Sequence, residues 1–99
     1  MSLAMLAEAD RVALPPWVRL HFDRVRDRWV LLAPERVLFP CATSVTIIER
    51  LDGTPALGEV VDGLAAEFEA PRETISADVR RMLQDLADQG FLAVESSHG

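Results

Sequence analysis

At 99 residues the chain has room for one domain, and 49% apolar with 26% charged residues is ordinary for a folded soluble domain. Sixteen acids against ten basic residues give a net charge of −6, without the broad positive field that draws phosphate backbones, which argues against a nucleic-acid binder. Every basic residue is Arg, the single Cys41 excludes an intrachain disulfide, and no run approaches the ~20 apolar residues that span a bilayer, so no membrane partner is expected.

Residues 1–16 end in Leu14-Pro15-Pro16, a proline pair that stops any helix entering it. The stretch has no basic segment ahead of its short apolar run, which Glu8 and Asp10 interrupt. It does not read as a secretory signal, and the cytoplasm is the expected location. We expect residues 1–16 to form a flexible arm, 17–94 a folded domain and 95–99 a disordered tail. An arm that docks on a second copy would make a homodimer.

Trp17 to Phe22 alternates Val18, Leu20 and Phe22 on one face with Arg19 and His21 on the other, which predicts a first strand. The polar run Asp23 to Asp27 reads as a hairpin connection, and Arg28 to Ala33 as a second strand. Its run Trp29-Val30-Leu31-Leu32 suggests burial on both faces. After a turn at Pro34-Glu35, Arg36 to Phe39 is a short third strand. Pro40 cannot donate a ladder hydrogen bond, so the strand ends there and is expected at a sheet edge.

Beyond Pro40 the apolar period changes from two to about 3.6. Thr43 or Ser44 is expected to cap a first helix with Val45, Ile48 and Leu51 inward, closed by Asp52-Gly53. Thr54-Pro55 then reads as a cap followed by proline in the first helical position. Leu57, Val60, Val61, Leu64, Ala65 and Phe68 make the apolar stripe of a second helix. A third begins at Pro71, with Ile75, Val79, Met82, Leu83 and Leu86 as its stripe and Gly90 as its stop, and Phe91 to Val94 returns to the core. The fold class is therefore α+β and winged-helix-like: a three-stranded antiparallel sheet followed by three helices.

Chemistry is harder to find. One Cys and two His offer no clustered metal ligands, and Cys41 reads as a small, partly buried residue at a helix entrance. None of the five glycines forms a phosphate-cradling loop after a strand, and Gly58 and Gly63 fall on the outer side of the second helix. Every carboxylate falls on an expected solvent face or in a loop, where nothing shifts its pKa for acid–base work. The reading is a protein with no catalytic residues, metal or cofactor.

The winged-helix layout makes a DNA-binding regulator the alternative. The third helix carries Arg72, Arg80 and Arg81 against Glu73, Asp78, Asp85 and Asp88, a face that repels phosphates. The hairpin region is more positive, and a basic sheet edge on an acidic domain suits an acidic peptide better than a duplex.

The motif order Arg19-Leu20-His21-Phe22-Asp23, Arg28 through Leu38, Leu51-Asp52-Gly53, Asp78-Val79 to Leu86 and Gly90-Phe91-Leu92 resembles the PqqD family from about Trp17 to Val94. Leu31-Leu32-Ala33-Pro34-Glu35-Arg36-Val37 is its most specific piece. The family consists of peptide chaperones of pyrroloquinoline quinone biosynthesis. The resemblance implies binding of the precursor peptide PqqA and its presentation to the radical S-adenosylmethionine enzyme PqqE, which crosslinks a Glu and a Tyr of the peptide. It further implies a peptide added as a strand beside the third strand and packed on the third helix.

That places candidate peptide contacts at Arg36, Val37, Leu38 and Phe39 and at Ile75, Asp78, Val79 and Met82. Main-chain bonds would set register, pockets at Leu38, Ile75, Val79 and Met82 would select side chains, and Arg36 would meet a peptide carboxylate. The chain departs from the family pattern at Phe39-Pro40-Cys41-Ala42, which shortens the usable edge, and at Ala56, where a polar cap is expected and Thr54-Pro55 substitutes.

Overall fold

The hairpin and the edge strand form with the register that the alternation implies. In the computed structural model, which describes residues 6–95, β1 (Arg11–Ala13) precedes β2 (Arg19–Asp23), β3 (Arg28–Ala33) and β4 (Arg36–Leu38). The order β2-β3-β4 is antiparallel throughout, and one cross-strand row is Leu20, Leu31 and Leu38. Leu31 is fully buried, so this is the inward row. The next row, Arg19, Leu32 and Val37, points away from the core. Burial of β3 on both faces thus holds for Val30 and Leu31 but not for Leu32, which is 36% exposed. At the β2–β3 turn the Asp23 carboxylate accepts the backbone N–H of Val25 and of Arg26 at 2.9 and 3.2 Å, and Asp27 takes a left-handed conformation at φ 56°.

After β4 come α1 (Ala42–Ile48), β5 (Asp52–Ala56), α2 (Leu57–Phe68), α3 (Arg72–Asp88) and β6 (Ala93–Glu95). The α+β, winged-helix-like class with three helices stands. A second sheet, ordered β5-β1-β6, was not legible. Asp52 to Ala56 was expected to close one helix and cap the next, yet it is a strand paired with β1. Gly53 and Pro55 are poor strand formers, and β5 tolerates them because it lies at the edge of that sheet.

The expected flexible arm is likewise corrected from Leu6 onward. Leu6 and Val12 are buried, and β1 is the middle strand of its sheet. The first backbone donors of a helix have no intrahelical partner. Here the Leu57 N–H donates to the Asp10 carbonyl and the Gly58 N–H to the Glu8 carbonyl, both at 2.8 Å. The N-terminal segment therefore completes the start of α2. The Ala56 N–H donates to the Glu59 carboxylate at 3.0 Å, the reciprocal half of a capping box, so Thr54 is not the cap. Gly58 is no outer-face glycine either: a Cβ there would lie 3.1 Å from Glu8 Oε1 and 3.2 Å from Glu8 Cβ. Residues 1–5 and 96–99 of the expected arm and tail lie outside the described residues; Glu95, expected in the tail, pairs with Arg11 in β6.

The cap of α1 is Cys41, two or three residues before the expected Thr43 or Ser44, and it makes no side-chain cap bond. Val45, Ile47 and Ile48 are buried, followed by Leu51. The α2 stripe is inward at Leu57, Val60, Val61 and Leu64, while Phe68 reaches the surface. Along α3 the inward line is Ser76, Val79, Leu83 and Leu86, with Ile75 and Met82 half-buried beside it. Gly90 sits at φ 86°, where a side chain would be strained, and turns the chain so that Phe91 and Leu92 return to the core.

Candidate functional site

Strand β4 ends its sheet, and among the described residues nothing pairs with its outer edge. Its last residue, Leu38, is followed by Phe39, Pro40 and Cys41, which carry the chain over the surface into α1. Pro40 ends the ladder one residue sooner than the expected strand Arg36 to Phe39, leaving a three-residue edge on which alternate residues turn their backbone groups outward.

Between this edge and α3 lies a groove of about 220 Å³. Leu38, Phe39, Pro40 and Cys41 form one wall, Met82, Asp85 and Leu86 of α3 the other, and Ser44 and Ile48 of α1 also line it. It is apolar at its base and carries one carboxylate, Asp85. The Arg28 guanidinium lies 4.2 Å over the Phe39 ring, a cation–π contact that holds the ring at the groove mouth.

The expected contacts divide into two places. Leu38, Phe39 and Met82 meet in the groove, and Arg36 and Val37 stand exposed along the β4 edge leading to it. Ile75, Asp78 and Val79 instead line a separate hollow of about 180 Å³ with Thr43, Ile47, Leu64 and Phe68. Val79 is 2% exposed, so it serves the core as much as that hollow, and Asp78 is held by Arg81 at 3.0 Å. The two places lie about two turns apart along α3, roughly 10 Å by helical rise. Met82 also borders a broad open depression along the outer side of α3, lined by Leu6, Arg81, Asp85 and Asp88 among others.

Pro40, Cys41, Ser44, Ile48, Asp85 and Leu86 line the groove without having been expected there from the sequence. The spacing of Met82, Asp85 and Leu86 at i, i+3 and i+4 could have found the α3 part. Cys41 was expected to be partly buried and is exposed. Its thiol is held below the usual cysteine value, chiefly by the Ser44 hydroxyl 3.4 Å away and then by the Ser44 backbone N–H. Among the described residues no group of three or more His, Cys, Asp or Glu could hold a metal ion, and no helix is long and apolar enough to cross a membrane.

Away from the groove, one polar cluster ties the N-terminal segment to the helices. Arg72 grips both oxygens of Glu8 at 2.6 and 3.1 Å and also pairs with Asp62. The Ser76 hydroxyl donates to the same Glu8 carboxylate at 2.6 Å. The Arg72 hydrogen bonds, then that of Ser76, hold the Glu8 carboxyl down at about 2.

This arrangement matches known proteins over most of its length. Residues 28–92 match the family described as coenzyme PQQ synthesis protein D (PqqD). A protein named PqqA binding protein from Bradyrhizobium diazoefficiens is 49% identical over 88% of this chain and 84% of its own length. One of the same name from Xanthomonas oryzae pv. oryzae is 44% identical over 91% of this chain and 98% of its own. The solution structure of the PqqD part of Methylobacterium extorquens PqqCD represents a functional, stand-alone recognition element for ribosomally synthesised, post-translationally modified peptides. It superposes with a TM-score of 0.76 at 34% identity, over 89% of this chain and 94% of that one. The crystal structure of PqqD from Xanthomonas campestris is 42% identical with a TM-score of 0.56, over 82% and 90% of the two chains. A family match that runs from β3 through the edge strand and all three helices, with relatives close to half identical, has one meaning: this chain belongs to the PqqD family.

Proposed function

We propose that this chain is a chaperone that binds the precursor peptide PqqA and presents it to the radical S-adenosylmethionine enzyme PqqE, in the cytoplasm and without catalysing a reaction itself. The observation that carries the reading is the open β4 edge running into a groove walled by α3. An extended peptide adding to that edge satisfies backbone groups otherwise left to water, and its inward side chains meet Leu38, Met82 and Leu86. The names of the relatives support PqqA as the peptide.

The charge on α3 counts against the DNA-regulator alternative. Arg72 and Arg81 are engaged by carboxylates, while Asp85 and Asp88 face outward. A helix with that field repels a phosphate backbone.

An NMR titration with PqqA tests the reading. Amide shifts should concentrate at Arg36 to Phe39 and at Met82 to Leu86. Shifts confined to other elements, or none at saturating peptide, would sink it.

A further inference from the structure

The outward face of the β2-β3-β4 sheet is buried at Val30, in the middle of β3, but open beside it, where an apolar patch at Leu32 and Val37 carries a positive rim. Leu32 and Val37 are direct cross-strand partners on this face, 36% and 56% exposed, and Arg19 completes their row. In strand alternation Arg28 lies on the same face as Leu32, and its guanidinium stacks on Phe39, itself 39% exposed. Arg19 and Arg28 make no ion pair among the described residues, although the chain as a whole carries −6. The one carboxylate that alternation puts on this face, Asp23, is taken up by Arg26 and by turn N–H groups, and the Arg26 backbone N–H leads in holding it below its usual value.

A second copy is a poor occupant, because pairing two such faces would set arginines against arginines. A partner with carboxylates around an apolar centre is the complement. Size adds a second constraint. Three strands of five, six and three residues, spaced about 4.8 Å apart, present roughly 230 Å², well short of the ~800 Å² per partner of a stable interface. A peptide strand added at β4 widens this face by about a third and sets its own outward side chains next to Val37.

We infer that this outward face docks a carboxylate-rimmed, apolar-centred patch on the enzyme that receives the peptide, and that the bound peptide strand is part of the docking surface. The inference rests on the chaperone reading above. It makes the sheet read-out two-sided: α3 and the inner row hold the peptide, and the outer row reports that it is there.

The test uses the full chain, PqqA and purified PqqE. Arg19→Glu and Leu32→Ser lie on strands away from the β4 edge, so each should leave PqqA affinity within about twofold. Each should weaken binding of the loaded protein to PqqE by about tenfold or more, and added salt should weaken the wild-type complex. Wild-type protein should also bind PqqE more tightly with PqqA than without it. Variants that hold PqqA and bind PqqE like wild type overturn the inference. So does low-salt retention of duplex DNA that Arg19→Glu abolishes, since the face would then serve phosphates. If wild-type protein binds no PqqA at all, the chaperone reading falls first and takes this inference with it. Retained PqqA binding by a variant shows that it is folded.

Discussion

Glu8 and Arg72 are 64 residues apart in the chain, yet the Arg72 guanidinium holds both Glu8 oxygens, the nearer at 2.6 Å. This contact fastens the segment that carries β1 to the first turn of α3. It also contributes to the acid sensitivity of the fold. The Glu8 pKa is lowered from 4.5 to about 2, so the charged form favours the folded state. Its stabilisation is complete above the unfolded value and is lost as pH falls from 4.5 towards about 2. Glu8→Gln should therefore melt at a lower temperature than wild type at neutral pH, with the gap closing across that window. Thermal melts followed by circular dichroism at stepped pH check this; parallel curves down to pH 2 would refute it. The pair is partly exposed, so the neutral-pH effect should be modest.

Deleting residues 1–13 should cost the cooperative fold rather than trim a loose arm. The cut removes β1 from the middle of its sheet and the carbonyls that receive the Leu57 and Gly58 N–H groups. A sharp thermal transition close to that of wild type would contradict this.

Leu83 has no exposed surface and lies in the main core cluster. Leu83→Ala should destabilise by roughly 2–5 kcal/mol, the range for emptying a leucine site in a packed core. Urea denaturation would show it as a lower midpoint with an unchanged slope.

Groove and hollow separate by mutation. Met82→Asp puts a charge into the wall facing Leu38 and should weaken PqqA binding about tenfold or more, about 1.4 kcal/mol. Phe68→Ser, in the hollow between α2 and α3, should change it less than about twofold. Calorimetric titration of both variants decides which cavity holds the peptide, and the reverse order would move the site.

Arg36 stands exposed on the β4 edge. If it meets a peptide carboxylate, Arg36→Glu should weaken PqqA binding several-fold at low salt and by less at high salt. Affinity unchanged at both salt concentrations would remove Arg36 from the contact.

Much of this was legible because the signals are local. Alternation over Arg19 to Leu38 defines which side chains share a face, and the pairing of Leu20, Leu31 and Leu38 follows from it. The 3.6-residue stripes of α2 and α3, the stop at Gly90 and the edge character imposed by Pro40 are likewise properties of neighbouring residues. What escaped is non-local. The strand β1 has three residues, too few for a period, and β5 carries Gly and Pro; each is a strand only because the other is there to pair with.

Net charge, the lack of clustered ligands and the motif order thus determined an acidic α+β module of the PqqD kind with β4 at an edge. Only the tertiary structure decided which of the candidate residues share a groove. Ile75, Val79, Met82 and Leu83 fall in one apolar stripe, and periodicity cannot rank positions within it. The packing of α3 on the rest of the fold does so: Val79, Leu83 and Leu86 are buried in the core, and half-buried Met82 joins the edge of Leu86 beside Leu38 as a groove wall.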